Sequence, residues 1–138
     1  LVEAVKGLPP YVFVMLGLYA GLRREEILGL KWDSVFLDTD ATYLTVQRAW
    51  HTENNRPVIL TELKTDAARR NIPLPDCLRD CLKEAKATSH SPYVVANHDG
   101  EPLSYTQFKR LWQYIVTRTA KERTYYRYVD GKKIAHTI

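Results

Sequence analysis

Residues 18–33 read LYAGLRREEILGLKWD, and this stretch decides how the first part of the chain folds. It begins inside an apolar run, Tyr11–Ala20, which follows Pro9-Pro10. A proline at the first position of a helix loses no hydrogen bond, because the amide there has no partner within the helix. A buried helix is therefore predicted over the run, with Gly21 ending it. A second short helix is predicted over Arg24–Leu30, because two glutamates fall in its first turn, where the helix dipole favours acids.

The pattern changes to short strands over residues 35–74. Polar breaks separate four segments with strand composition, and we predict that they pair as hairpins in one small antiparallel sheet. The predicted strands are Val35–Leu37, Tyr43–Trp50, Val58–Leu63 and Arg70–Leu74.

Two more helices and an extended tail complete the prediction. Asp76 is expected to cap a helix, and Ser104 and Gln107 have the spacing of a capping box at the start of another. The tail from Thr124 to Ile138 is predicted to be an extended, aromatic and basic arm with a turn. The apolar face of the helix after Ser104 is predicted to comprise Phe108, Leu111, Trp112, Ile115, Val116 and Thr119.

Length and composition indicate one ordinary domain, residues 1–138, since the chain has 138 residues and is 45% hydrophobic. The fold class expected is α+β: a mainly helical domain with a small antiparallel β-sheet. The longest apolar run is about half of the roughly 20 residues that a membrane helix needs, so no membrane partner is expected.

The charge permits a polyanionic partner but does not establish one. The net charge is +4 with a pI near 9.1, and residues 109–133 hold eight basic side chains against two acidic ones. Cys77 and Cys81 lie one helical turn apart without a zinc motif, which favours a reducing, cytoplasmic setting and no metal. The acids are scattered, which disfavours a metal-dependent nuclease.

Two ordered motifs resemble the tyrosine recombinases, the phage-type and transposon-type integrases. The first is the opening stretch, in which Gly-Leu-Arg precedes Glu26 by three residues and Leu, Trp and Asp follow. The second is LKTDAARRNIPL over residues 63–74, which is similar to the hairpin of that family with its Lys-Thr start and Arg-x-Ile-Pro-Leu end. The segment GEPLS at residues 100–104, followed by an amphipathic helix, is similar to the next landmark of the family.

The resemblance implies an activity. Members cut a DNA phosphodiester by attack of a tyrosine, hold a 3'-phosphotyrosine intermediate and reseal the strand without metal or other cofactor. It implies double-stranded DNA as partner, a homo-tetramer on DNA in the full-length protein, and a cytoplasmic location in a prokaryotic cell, encoded by a phage or transposon.

The resemblance also assigns roles to residues. It selects Arg23 as the catalytic arginine, with Lys64 as the general acid that protonates the leaving oxygen and Glu26 as an acid that orients Arg23. Without the motifs, Arg23 and Lys64 would be read as ordinary solvated side chains and Glu26 as a first-turn acid. Arg24 is expected to contact a DNA phosphate. The start of the helix after Ser104 is expected to lie against DNA through Tyr105, Thr106, Gln107, Lys109 and Arg110.

One motif of the family does not occur. The His-x-x-Arg box and the tyrosine after it are missing, since His136 has only Thr137 and Ile138 behind it. We interpret the chain as the N-terminal part of a catalytic domain, a fragment expected to be inactive alone. The alternative is a non-catalytic DNA-binding regulator of recombination or transcription.

Overall fold

The computed structural model describes residues 10–61, 69–119, 124–129 and 131–137, the last two ranges by their backbone. Its α-helices are α1 (Tyr11–Tyr19), α2 (Arg24–Leu28), α3 (Asp76–Thr88) and α4 (Tyr105–Thr119). A 3-10 turn, Trp32–Ser34, follows α2.

Within the described ranges, seven strands form three small antiparallel sheets. They are β1 (Val35–Phe36), β2 (Tyr43–Val46), β3 (Ala49–Glu53), β4 (Arg56–Leu60), β5 (Arg70–Pro73), β6 (Thr124–Val129) and β7 (Lys132–Thr137). The first sheet has the order β1-β2-β5, whereas β3-β4 and β6-β7 are separate hairpins. The α+β class is confirmed, but the strands do not join in one sheet. The predicted arm over residues 124–138 is a hairpin where the structure describes it.

The boundary between α1 and α2 follows the sequence prediction closely. Gly21 has φ +66°, a left-handed conformation that glycine adopts without steric cost, and α1 ends just before it. The amide of Ala20 donates to the carbonyl of Leu16 at 3.2 Å. Leu22 then returns to the core, so the chain enters α2 in a fixed direction.

The core lies between the helices and the sheet β1-β2-β5. Residues with essentially no exposed surface come from α1, α2, β2 and α3, namely Leu16, Leu28, Leu44, Leu78 and Leu82. At about 25 cal/mol per Å² of apolar area removed from water, burial of each such side chain stabilises the fold by roughly 2 kcal/mol.

Aromatic rings join the β3-β4 hairpin and α4 to this core. The Trp50 ring packs 5.6 Å from Phe108, which lies 6.1 Å from Phe13 on α1. The buried indole nitrogen of Trp50 donates to the carbonyl of Leu103 at 2.7 Å. The hairpin and the start of α4 therefore have fixed positions relative to α1.

Close backbone contact joins α2 to the same hairpin. A Cβ on Gly29 would lie 3.0 Å from the Trp50 nitrogen and 3.1 Å from the Ala49 carbonyl carbon. Only a residue without a side chain fits there without a shift of backbone.

Three local predictions were wrong. Residues 43–50 form two strands rather than one, because the chain leaves β2 at Gln47 and Arg48 turns its guanidinium onto Asp33 and Ser34. Asp76 is the first residue of α3 and Pro75 holds the cap position. Trp112 is 52% exposed, because α4 turns Phe108, Leu111 and Ile115 to the core instead.

Candidate active site and nucleic-acid interface

Arg23 stands at the entry to α2. Its backbone is extended (φ −74°, ψ 156°), and its amide donates to Glu26 Oε1 at 2.9 Å. The side chain is exposed and makes no hydrogen bond or ion pair within residues 10–61 and 69–119. An arginine offers a permanent positive charge and a planar fork of donors, which suits the oxygens of a phosphate.

Glu26 contacts the backbone of Arg23 and the side chain of Arg70. Arg70 Nη1 donates to Glu26 Oε2 at 2.8 Å, and Nη2 donates to Oε1 at 3.0 Å. The carboxylate side chain is only 12% exposed. Burial alone raises the pKa of Glu26, but the hydrogen bonds from Arg70 and the Arg23 amide, with the charges of both arginines, bring it below its ordinary value.

Arg70, at the start of β5, was missed as a site residue by the sequence analysis. It lies in the Arg-x-Ile-Pro-Leu string at residues 70–74, so the signal was present. Its carboxylate partner is 44 residues away, and no local pattern identifies that pairing. The hydrogen bond to Glu26 raises the pKa of Arg70, with Coulombic attraction adding to it and burial opposing it.

Lys64, the predicted general acid, lies outside the described residues, which omit 62–68. Its predicted role therefore stays a prediction.

Arg24 is the first residue of α2, and its side chain packs against α4. Its guanidinium carbon is 5.2 Å from the centroid of the Phe108 ring, and its Nε is 3.4 Å from Glu25 Oε1. The side chain is half exposed. This stacking places the Arg24 side chain next to the first turn of α4, and the predicted contact of Arg24 with a DNA phosphate stays a prediction.

The capping box at the start of α4 is confirmed. The Gln107 amide donates to Ser104 Oγ at 3.1 Å, and the Ser104 amide donates to Gln107 Oε1 at 2.9 Å. The same oxygen accepts from Asn97 Nδ2 at 3.3 Å. The side-chain oxygen of Gln107 thus holds the helix end, and the predicted DNA contact of this residue stays a prediction.

Asn55, in the turn of the β3-β4 hairpin, also caps α4. Its Oδ1 accepts from the Thr106 amide at 2.8 Å and from the Thr106 hydroxyl at 3.0 Å. Sequence analysis missed this contact, although a paired Asn-Asn marks the turn. Thr106, like Gln107, therefore makes internal hydrogen bonds.

The remaining predicted DNA-contacting side chains of α4 face solvent. Tyr105 is 44% exposed, and the Lys109 ammonium lies 5.5 Å from the centroid of its ring. Arg110 is also exposed, and it lines a shallow groove along α4 with Tyr114 and Arg118. The outer side of α4 therefore presents cations and an aromatic ring where a polyanion could approach.

An open groove between α1, α3 and residues 89–100 contains none of the predicted site residues. Within the described part of the chain, no three His, Cys, Asp or Glu side chains are grouped to hold a metal ion. Over the same residues, no helix has the length and apolarity required to span a bilayer.

Comparison with known protein families matches residues 2–133 to the phage integrase family. The chain belongs to the phage integrase family. The tyrosine-recombinase resemblance of the two sequence motifs is thereby confirmed. No match was found among curated proteins.

Solved structures of another integrase share the fold. The Tn1549 transposon integrase in complex with circular intermediate DNA matches this integrase-family chain with a TM-score of 0.67 at 16% identity, covering 87% of the chain. A tyrosine-to-phenylalanine variant with transposon right end DNA matches at 0.65, 16% identity and 84% coverage. An arginine-to-lysine variant with a circular intermediate DNA matches at 0.66, again with 16% identity and 84% coverage. The chain spans 44%, 42% and 42% of these three chains.

Proposed function

We propose that the full-length protein is a site-specific tyrosine recombinase, which integrates or excises a mobile element. It cuts one DNA strand through a 3'-phosphotyrosine intermediate and rejoins it, as a homo-tetramer on double-stranded DNA. Residues 1–138 form the N-terminal part of its catalytic domain. Membership of the phage integrase family over residues 2–133 carries this proposal.

Arg23 has the setting that the chemistry needs. Phosphoryl transfer spreads negative charge over the non-bridging oxygens, and a pre-positioned guanidinium stabilises that charge. The Arg23 side chain is exposed, and no acid within the described residues pairs with it. Its backbone is held by Glu26, so the cation is anchored at its base. We assign Arg23 to the scissile phosphate.

Lys64 completes the part of the active site that this chain supplies. A lysine near the scissile phosphate can protonate the 5'-oxygen as the strand breaks. The His-x-x-Arg residues and the tyrosine nucleophile come from sequence outside this chain. No energy-supplying cofactor is needed, because the phosphotyrosine bond conserves the energy for resealing, and cationic side chains stabilise the phosphate charge in place of a metal.

The DNA lies across the start of α2 and the outer face of α4 in this proposal. Arg24, Tyr105, Lys109 and Arg110 are exposed there and carry the charge and donor types that contact phosphates and base edges. Thr106 and Gln107 act mainly by shaping the helix end, since their polar atoms bind Asn55 and Ser104.

The second candidate function is a DNA-binding regulator without catalysis. The exposed α4 face supports it equally well, whereas the exposed, anchored Arg23 favours the enzyme. A trapping assay separates the two functions. The full-length protein is incubated, in EDTA, with a nicked duplex carrying its recombination site, and the covalent protein–DNA adduct is quantified over time.

We expect the wild type to form the adduct and Arg23→Lys to form it about 100-fold more slowly, because a lysine lacks the planar fork. Arg79→Lys is the matched control, since Arg79 on α3 pairs only with Asp76 and Asp80 within the described residues. Wild-type protein that binds the duplex tightly but forms no adduct would establish the regulator instead.

A further inference from the structure

Arg70 joins two elements that the chain separates by 44 residues. It is the first residue of β5, where it pairs across the sheet with Val46. Its guanidinium binds both oxygens of Glu26 on α2, at 2.8 and 3.0 Å. The Glu26 side chain is largely buried by this packing, whereas Arg70 retains 37% exposure.

One oxygen of Glu26 serves two donors. Oε1 accepts from Arg70 Nη2 at 3.0 Å and from the Arg23 amide at 2.9 Å. Arg70 thus holds the oxygen that accepts from the Arg23 amide, while the Glu26 and Ile27 amides each donate to the Arg23 carbonyl at 3.0 Å. The backbone of Arg23 sets the direction of its side chain, so the link reaches the guanidinium assigned to the phosphate.

The fork of Arg70 is essential to this arrangement. Two parallel N–H···O bonds fix both the position and the rotation of a carboxylate, whereas an ammonium holds it at one point and allows rotation. Misplacement of a reacting group by about 1 Å can cost about 100-fold in rate. Through the orientation of Glu26, Arg70 on β5 is therefore linked to the position of Arg23.

We propose that Arg70 is a positioning residue for strand cleavage, which acts through Glu26 to hold the backbone of Arg23. The inference rests on the proposed role of Arg23 at the scissile phosphate. A purely structural ion pair is the competing account, in which Arg70 only attaches β5 to α2.

Amide hydrogen exchange tests the link without any need for activity. In the full-length protein, Arg70→Lys is expected to raise the exchange rate of the Arg23 amide about tenfold, because the acceptor of that amide is no longer fixed. Arg48→Lys is the matched control, since Arg48 binds both oxygens of Asp33, at 3.0 and 3.3 Å, and does not bind Glu26. Unchanged exchange at Arg23 in a folded Arg70→Lys chain overturns the proposal.

Single-turnover cleavage by the full-length protein tests the consequence. Arg70→Lys is expected to slow adduct formation about tenfold or more, with the Kd for DNA within about twofold of wild type and the Arg48→Lys rate unchanged. Wild-type cleavage by Arg70→Lys, together with impaired cleavage by Arg23→Lys, overturns the inference. Wild-type cleavage by Arg23→Lys instead overturns the proposed function.

A charge reversal distinguishes positioning from attachment. Glu26→Arg with Arg70→Glu restores an opposite-charge pair between α2 and β5, so much of the thermal stability should return. An arginine side chain has no acceptor for the Arg23 amide, so cleavage should stay slow. Recovery of both stability and cleavage would show that Arg70 is only an attachment.

Discussion

Asn55 accepts two hydrogen bonds from Thr106, 51 residues further along the chain, at 2.8 Å from the amide and 3.0 Å from the hydroxyl. The turn of one hairpin thus caps the helix proposed to face DNA. Asn55 can do so because it takes a left-handed backbone, φ 68°, which asparagine tolerates better than most residues.

Replacement of this asparagine measures the cap. Asn55→Ala is expected to lower the free energy of unfolding by about 1 kcal/mol more than Asn54→Ala. Asn54 shares the positive φ, at 51°, but its side chain makes no hydrogen bond to α4 within the described residues. Urea denaturation of both variants gives the difference, and equal losses would mean that Asn55 contributes only its backbone conformation.

The contact of α2 with β3 predicts intolerance of a methyl group. Gly29→Ala should lower the free energy of unfolding by about 1–3 kcal/mol, because its Cβ meets backbone atoms of Ala49 and Trp50 at 3.0–3.3 Å. Gly17→Ala is the control, since the nearest atom there is Ile27 Cδ1 at 3.9 Å and alanine favours a helix. A Gly29→Ala variant as stable as Gly17→Ala would contradict the close approach.

The ion pair of Glu26 predicts how stability depends on pH. Its pKa is lowered in the folded chain, so its contribution is complete above the unfolded pKa, near 4.3, and is lost as pH falls through the folded value. Glu26→Gln should cost about 1–2 kcal/mol at pH 7, allowing for the partly exposed Arg70. That cost should shrink by pH 3. Denaturation curves that stay equally far apart at both pH values would refute this.

The outer face of α4 predicts a salt-dependent affinity for DNA. Each phosphate contact contributes about 0.9 to the slope of log K against log salt, so loss of both cations in Lys109→Ala/Arg110→Ala should reduce the slope by about 1.8. Lys83→Ala on α3 is the control, because Lys83 is exposed and lies outside the proposed interface. Fluorescence anisotropy with a duplex measures the slopes, and an unchanged slope in the double variant would place the DNA elsewhere.

The two cysteines should react at different rates. Burial raises the pKa of Cys81 to about 11, with nearby Glu84 and Cys77 adding to the effect, whereas Cys77 is exposed. A thiol reagent at pH 7.5 should therefore label one cysteine per chain rapidly in the native protein and both cysteines in urea. Cys77→Ser should abolish the rapid phase; a rapid phase that persists would place Cys81 at the surface.

Local signals predicted the fold where the determining contacts are local. Gly21 ended α1, and Ser104 with Gln107 capped α4, since each of these depends on residues within a few positions. Residues 43–50 look like one strand, because nothing in their alternation shows that Arg48 binds Asp33. Trp112 has helical spacing with the buried face, yet its exposure depends on which elements cover α4.

The site residues likewise depend on contacts between distant parts of the chain. The sequence motifs identified Arg23 and Glu26 as site residues. They did not show that Glu26 binds the guanidinium of Arg70 and the backbone amide of Arg23. Asn55 and Thr106 are joined only in the folded chain. The missed partners are separated by 44 and 51 residues, beyond any periodicity of a helix or strand.

The strand pairings at Val46 and Ala49 bear on how the length of the connection between β4 and β5 can vary. Leu60, the last residue of β4, pairs with Ala49, and Arg70, the first residue of β5, pairs with Val46. The two ends of the β4–β5 connection are therefore paired with residues that are three positions apart in the chain. Doubling the length of a flexible connection between two such anchors costs only about 0.6 kcal/mol in closure entropy. Insertions between these anchors should therefore be tolerated thermodynamically.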